Sequence, residues 1–109
     1  MKLKRTVAIL LLTLVGSVAV AGDEVVLVVI KGYKFIPQDV SIKPGQTIRW
    51  ENQEKRQYHS VWFEALGEEE PEDYLFPDDS YERRFDATGS FTYRCGPHPE
   101  MIGSITVAE

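Results

Sequence analysis

Cysteine is almost absent from this sequence, because its 109 residues include only Cys95. A single cysteine excludes an intrachain disulfide framework, the usual support of small exported domains. Other soft metal ligands are also scarce, with two histidines and one methionine besides the initiator. The 12 basic and 17 acidic residues give a formal net charge of −5. This balance lacks the positive surface that nucleic-acid phosphates require, so we expect no nucleic-acid partner.

An apolar run long enough to span a membrane is missing too. The longest run, residues 7–20, has 14 residues, whereas a spanning helix needs roughly 20. Three basic residues precede it within the first five positions, and small residues end it at Ala21. This pattern is typical of a secretory signal peptide. We predict a cleaved signal over residues 1–21, a soluble mature domain over residues 22–109, and a periplasmic or otherwise exported location; an uncleaved tether is the alternative.

The predicted mature chain is small and acidic. It has 88 residues, with 9 basic and 17 acidic side chains, and therefore a formal charge of −8. A domain of this size is expected to need a metal or a disulfide for stability. Because no intrachain disulfide can form, the unpaired thiol of Cys95 in an oxidising compartment requires another explanation.

Helix-length periodicity is also missing from the mature chain. Short β-rich segments instead alternate with glycine, proline, asparagine and aspartate. The predicted strands lie at residues 24–31, 33–36, 39–42, 47–51, 58–63, 81–86, 89–94 and 103–108. The first of them is apolar on both faces, so we expect both faces to be covered. Seven or eight short strands indicate one all-β domain, either a closed barrel or, as we predict, a Greek-key β-sandwich.

One long segment, residues 64–80, interrupts the strand pattern. It carries eight acidic side chains and no basic one. We expect Tyr74, Leu75 and Phe76 to anchor its middle to the core, with a helical turn after Pro71. The segment is interpreted either as a solvated acidic loop or as a docking surface for a cationic partner.

Three potential metal ligands stand close together near the end of the chain. They are Cys95, His98 and Met101, in the sequence CGPHPEM between two predicted strands. The second histidine, His59, lies in the predicted strand 58–63, on the side that we expect to face inward. Since neighbouring strands lie about 4.8 Å apart, this histidine can complete a site that the loop begins.

Two imidazoles, one thiolate and one thioether form the ligand set of a mononuclear blue copper centre. Each residue by itself is more often a surface or core residue, but their joint occurrence favours a metal. Zinc rarely uses a thioether, and a dinuclear copper centre would need two thiolates. Nucleophilic catalysis would need a base and an open cleft around the thiol, but we expect the short proline-flanked loop to leave Cys95 little exposed. We therefore predict copper and no enzymatic activity.

The sequence resembles the small blue (type 1) copper proteins of the cupredoxin family over essentially the whole mature chain. The short Cys-x-x-His-x-x-Met spacing, with proline on both sides of the histidine, is most similar to that of amicyanin. In plastocyanin the segment between the histidine and the methionine is longer. The resemblance also includes residues 33–37, the Pro44-Gly45 turn, residues 48–52 and the strand of the upstream histidine. It implies that the copper ligands are His59, Cys95, His98 and Met101, with one copper per chain cycling between Cu(I) and Cu(II).

One position departs from the family pattern. The family often has asparagine directly after the upstream histidine, where this chain has Ser60. We expect the shorter hydroxyl to reach less far toward the cysteine loop, which affects the contacts that tune the metal. The resemblance also implies that the Ser60 backbone N–H donates a hydrogen bond to the sulfur of Cys95.

The resemblance implies a monomeric one-electron carrier between redox partners such as a cytochrome c or a dehydrogenase. The edge of His98 is then the electron port, within an apolar patch near Pro37, Pro97 and Pro99. Two alternatives use other chemistry: a copper carrier or storage protein without redox turnover, and a purely structural β-domain with a free thiol.

Overall fold

The computed structural model describes residues 24–109, so the predicted signal peptide lies outside the described residues. Seven strands form the domain. They are β1 (Val25–Lys31), β2 (Lys34–Ile36), β3 (Asp39–Ile42), β4 (Gln46–Asn52), β5 (Ser80–Phe85), β6 (Gly89–Arg94) and β7 (Ile102–Val107). No helix among residues 24–109 is long and apolar enough to cross a membrane.

The strands form two mixed sheets. The first has the order β2-β1-β4-β5 and the second the order β3-β7-β6. The pairs β1–β4 and β3–β7 are parallel, and the other neighbours are antiparallel. The predicted all-β sandwich is confirmed, and seven of the eight predicted strands occur within one or two residues of their expected ends.

Aromatic side chains from both sheets fill the space between them. Trp50 of β4 is fully buried, and its indole N–H donates a hydrogen bond of 3.1 Å to the hydroxyl of Tyr93 in β6. Phe63 packs edge-on against Trp50 and lies 5.3 Å from the ring of Tyr93, measured between ring centres. This core supports the end of β6, where Cys95 follows.

Strand β1 differs from the prediction that both of its faces are covered. Val28 and Ile30 are fully buried, but Val25 and Leu27 on the other face are 52% and 45% exposed. The reason is architectural, because a two-layer sandwich covers only the inner face of each sheet. The continuous apolar sequence of β1 therefore does not mean that both faces of this strand are buried.

The predicted strand at residues 58–63 is wrong. This segment forms two isolated bridges instead, from His59 to Leu75 and from Trp62 to Arg94. His59 and Ser60 are adjacent yet both buried, which a strand with one covered face does not allow. The segment crosses the end of the sandwich and presents consecutive residues to the interior.

The acidic segment 64–80 is folded against the domain. It begins with a single 3₁₀ turn at Glu64–Leu66, and the helical turn expected after Pro71 is a bend. Leu75 packs against the core, as predicted, whereas Phe76 is 54% exposed. Tyr74 stacks on Tyr58 with 5.1 Å between ring centres. The predicted anchoring of the segment's middle is therefore confirmed for Leu75 and wrong for Phe76.

Candidate metal centre

Three nitrogen and sulfur atoms converge at one end of the sandwich. The Nδ1 atoms of His59 and His98 are 3.2 Å apart, and the sulfur of Cys95 lies 3.6 Å from the first and 3.5 Å from the second. The three atoms form a nearly equilateral triangle. Its centre lies about 2 Å from each corner, close to the roughly 2.0–2.3 Å of metal–nitrogen and metal–sulfur bonds in zinc proteins.

Short-range hydrogen bonds fix the loop that carries two of these atoms. The Cys95 N–H donates to the carbonyl of Met101, and the Met101 N–H donates to the carbonyl of His98, both at 3.0 Å. The Arg94 guanidinium donates to the carbonyls of Cys95 and Gly96 at 3.2 and 2.9 Å. Met101 is only 2% exposed, so the loop turns its thioether side chain inward.

Ser60 connects the upstream histidine to this loop through two contacts. Its backbone N–H lies 3.4 Å from the sulfur of Cys95, which confirms the predicted hydrogen bond. Its hydroxyl also accepts a 2.8 Å hydrogen bond from the Gly96 N–H. The shorter reach of the hydroxyl therefore does not prevent a contact with the cysteine loop, because the two segments lie close enough for a short side chain to join them.

The opposite edge of the His59 ring rests on a carboxylate that sequence reasoning missed. Its Nε2 lies 2.9 Å from Oε2 of Glu54, and the same oxygen accepts a 2.9 Å hydrogen bond from the Tyr33 N–H. The side chain of Glu54 is only 12% exposed. A proton on Nε2 serves this bond and leaves the lone pair of Nδ1 directed at Cys95, as in metal-bound histidines generally.

The pKa shifts of His59 and Cys95 are consistent with a role as metal ligands. Burial lowers the pKa of His59 below its ordinary value, although the Glu54 carboxylate opposes the shift. The ring is thus neutral at pH 7 and can act as a ligand. Burial raises the pKa of the Cys95 thiol, against the opposing amides of Ser60 and His98. In the metal-free chain the thiol therefore keeps its proton, which a metal must displace.

Aromatic rings surround the half-buried ring of His98. Tyr33 meets it edge-on at 4.9 Å between ring centres, and Tyr58 lies 6.3 Å away. Tyr33, Ile36 and Tyr58 are 43%, 47% and 39% exposed. The candidate centre is therefore covered by a thin apolar and aromatic surface rather than by a deep layer of protein.

The comparisons with known proteins agree with this donor set. The family described as copper binding proteins, plastocyanin/azurin family, matches residues 24–108. The chain belongs to this family. Amicyanin from Paracoccus versutus is 35% identical over 96 residues, covering 85% of this chain and 71% of the relative. Plastocyanin from Scenedesmus fuscus is 37% identical over 86 residues, covering 67% and 85%.

The fold of this cupredoxin is also similar to that of a solved structure. The crystal structure of amicyanin from Paracoccus versutus superposes with a TM-score of 0.66 at 29% identity, covering 77% of this chain and 81% of that one. The predicted family and its sandwich fold are thereby confirmed. The predicted cofactor is confirmed as well, since a copper-binding cupredoxin with converging His59, Cys95 and His98 takes one copper.

Proposed function

We propose that this cupredoxin carries single electrons between redox partners outside the cytoplasm. The observation that supports the proposal is the convergence of ligand atoms from His59, Cys95 and His98 within 4.8 Å of one another. We propose that these three residues and the buried thioether of Met101 would hold the copper. The bound copper supplies the redox chemistry by alternating between Cu(I) and Cu(II). A fully ligated metal offers no position for a substrate, so we propose no enzymatic activity.

The chain's own contribution is to hold its ligands still while the charge of the site changes. Pro97 and Pro99 flank His98 and have fixed φ angles. The two backbone hydrogen bonds within the loop add a second constraint. The small rearrangement that these contacts allow favours fast electron transfer.

The N-terminal sequence supports an exported location. We propose that residues 1–21 are a cleaved signal and that residues 22–109 act as a soluble monomer. An exported thiol escapes oxidation when it is held by a metal, which gives the unpaired Cys95 its function. N-terminal sequencing of the protein purified from the periplasm tests the boundary, and an intact Met1 would contradict it.

The exposed edge of the centre supports a docking surface. We propose that electrons enter and leave at His98, through the patch that includes Tyr33, Ile36 and the two flanking prolines. The acidic segment 64–80 would steer a cationic partner, such as a cytochrome c or a dehydrogenase, toward it. Such attraction weakens as ionic strength rises, since the screening length is about 10 Å at 0.1 M salt.

Optical and EPR spectra of the copper-loaded protein test the ligand assignment. We expect an intense visible absorption and reversible one-electron cycling, both lost in Cys95→Ser. Copper uptake without such cycling would instead indicate a carrier or storage protein. A colourless copper-loaded protein would contradict the electron-transfer proposal.

A charge placed beside His98 tests the docking surface. Pro99→Lys should slow the reduction of a cationic cytochrome c by roughly tenfold if the patch is the contact surface, because the added positive charge repels the partner there, while the visible band remains. Thr106→Lys is the matched control, because residue 106 is exposed at the far end of β7. Equal rates for the two variants would contradict the proposed port.

A further inference from the structure

The acidic segment brings one carboxylate directly against the cysteine loop. A Cβ built on Gly96 would overlap with Oε2 of Glu70 and would lie 3.0 Å from the hydroxyl of Ser60. The φ angle of Gly96 is not positive, so the backbone conformation does not require glycine here. The missing side chain leaves the space in which the carboxylate of Glu70 sits.

Neighbouring contacts hold the segment in this position. The Arg83 guanidinium binds the carboxylate of Glu68 through two hydrogen bonds of 3.1 and 2.6 Å. The indole N–H of Trp62 donates to the Glu68 carbonyl at 2.8 Å. On the other side, the hydroxyl of Tyr74 lies 3.5 Å from Oε2 of Glu70. Glu70 therefore lies between two anchored residues, which keeps its carboxylate near the loop.

The charge of Glu70 is not neutralised by an ion pair within residues 24–109. The cation that contacts the same loop is Arg94, and its guanidinium is paired with Glu64 at 3.2 Å. A negative charge beside a redox centre stabilises the form with the higher positive charge. Glu70 is exposed, so solvent and salt weaken this effect without removing it.

We propose that Glu70 lowers the reduction potential of the copper centre by placing its carboxylate against Gly96, the residue that follows Cys95. This inference rests on the proposed electron-transfer function and assigns to one residue of the acidic segment a function separate from partner steering. Glu70 touches no ligand atom in the described contacts, so it is a positioning and tuning residue rather than a ligand.

The test compares the reduction potentials of two variants with the same change in charge. Glu70→Gln should raise the potential more than Glu69→Gln, since Glu69 is exposed and makes none of the described contacts. The visible band should remain in both variants, and the difference between them should decrease from 10 mM to 500 mM salt. Equal shifts in the two variants would overturn the proposal.

Gly96→Ala provides an independent perturbation, because the new methyl group must displace the flexible end of Glu70. It should also raise the potential, but it should add little in the Glu70→Gln background, where no charge remains to be displaced. A full additional shift in that background would mean that the substitution acts on the loop itself and would count against the proposal. Absence of the visible band from the unsubstituted protein would instead contradict the proposed function.

Discussion

Replacing Glu54 with alanine should weaken copper binding without removing any ligand. The carboxylate accepts hydrogen bonds from the buried ring of His59 and from the backbone of Tyr33. Burial alone would raise the pKa of Glu54, but these donors outweigh it and lower the pKa below its ordinary value. The group is therefore ionised at neutral pH and fixes both the tautomer and the orientation of the ring.

The expected magnitude follows from the burial of the donor. His59 is fully buried, so removing its acceptor leaves an unpaired N–H at a cost of about 1–3 kcal/mol. Changes to carboxylates that support metal-bound histidines reduce metal affinity by roughly 10- to 100-fold. At about 1.4 kcal/mol per tenfold change, the two ranges agree. Glu54→Gln should lose less copper affinity than Glu54→Ala, because the amide oxygen of glutamine can still accept a hydrogen bond from the His59 N–H.

The loss of copper affinity is measured by letting each metal-free variant compete for Cu(I) with a chelator of known affinity. Glu51→Ala is the control, since Glu51 lies nearby on β4 but pairs with Arg49 at the surface. Urea unfolding of each metal-free variant separates weaker binding from loss of the fold. If Glu54→Ala binds copper within about twofold of the control variant, the carboxylate does not position the ligand.

Further predictions concern the stability of the metal-free chain, measured by urea unfolding. Below pH 6.5 the unfolded chain binds a proton at His59 that the folded chain resists, and above pH 9.0 it releases a proton from Cys95 that the folded chain retains. The free energy of unfolding should therefore fall on both sides of this interval, and His59→Gln should reduce the acid slope. Gly103→Ala should cost about 1–3 kcal/mol, because its Cβ would lie 2.5 Å from the buried Tyr93 ring; the loss should shrink in a Tyr93→Leu background, and an unchanged loss would refute the contact. Phe63→Ala should cost about 3–5 kcal/mol, and a loss below 1 kcal/mol would contradict its place in the core.

The sequence could predict the sandwich because its signals are local. Alternating apolar residues and turn residues mark strands such as β6 and β7 within a few positions of their ends. The grouping of Cys95, His98 and Met101 is local as well, since one short loop carries all three. The predicted strand at residues 58–63 was wrong because this segment buries consecutive side chains, whereas a strand with one covered face buries every second one.

Glu54 could not be predicted, because its function depends on contacts that are distant in sequence. The carboxylate meets Tyr33, which lies 21 residues upstream, in a fold where β1 pairs with both β2 and β4. An acidic residue between two polar neighbours carries no pattern that separates it from a solvated loop residue. The folded structure distinguishes it by the burial of its side chain and by its contacts with Tyr33 and His59.

The serine that replaces the family's asparagine shows how distance in the fold decides what a side chain can do. Trp62 and Arg94 exchange two backbone hydrogen bonds of 2.8 and 2.9 Å, which join the segment 58–63 to the end of β6. Ser60 lies two residues before this pair, and Gly96 lies two residues after it on the other segment. The backbones are therefore already close where the side chain begins, and a hydroxyl spans the remaining gap at 2.8 Å. The short side chain is therefore long enough to join the two segments, because the backbone pairing of Trp62 and Arg94 has already brought them together.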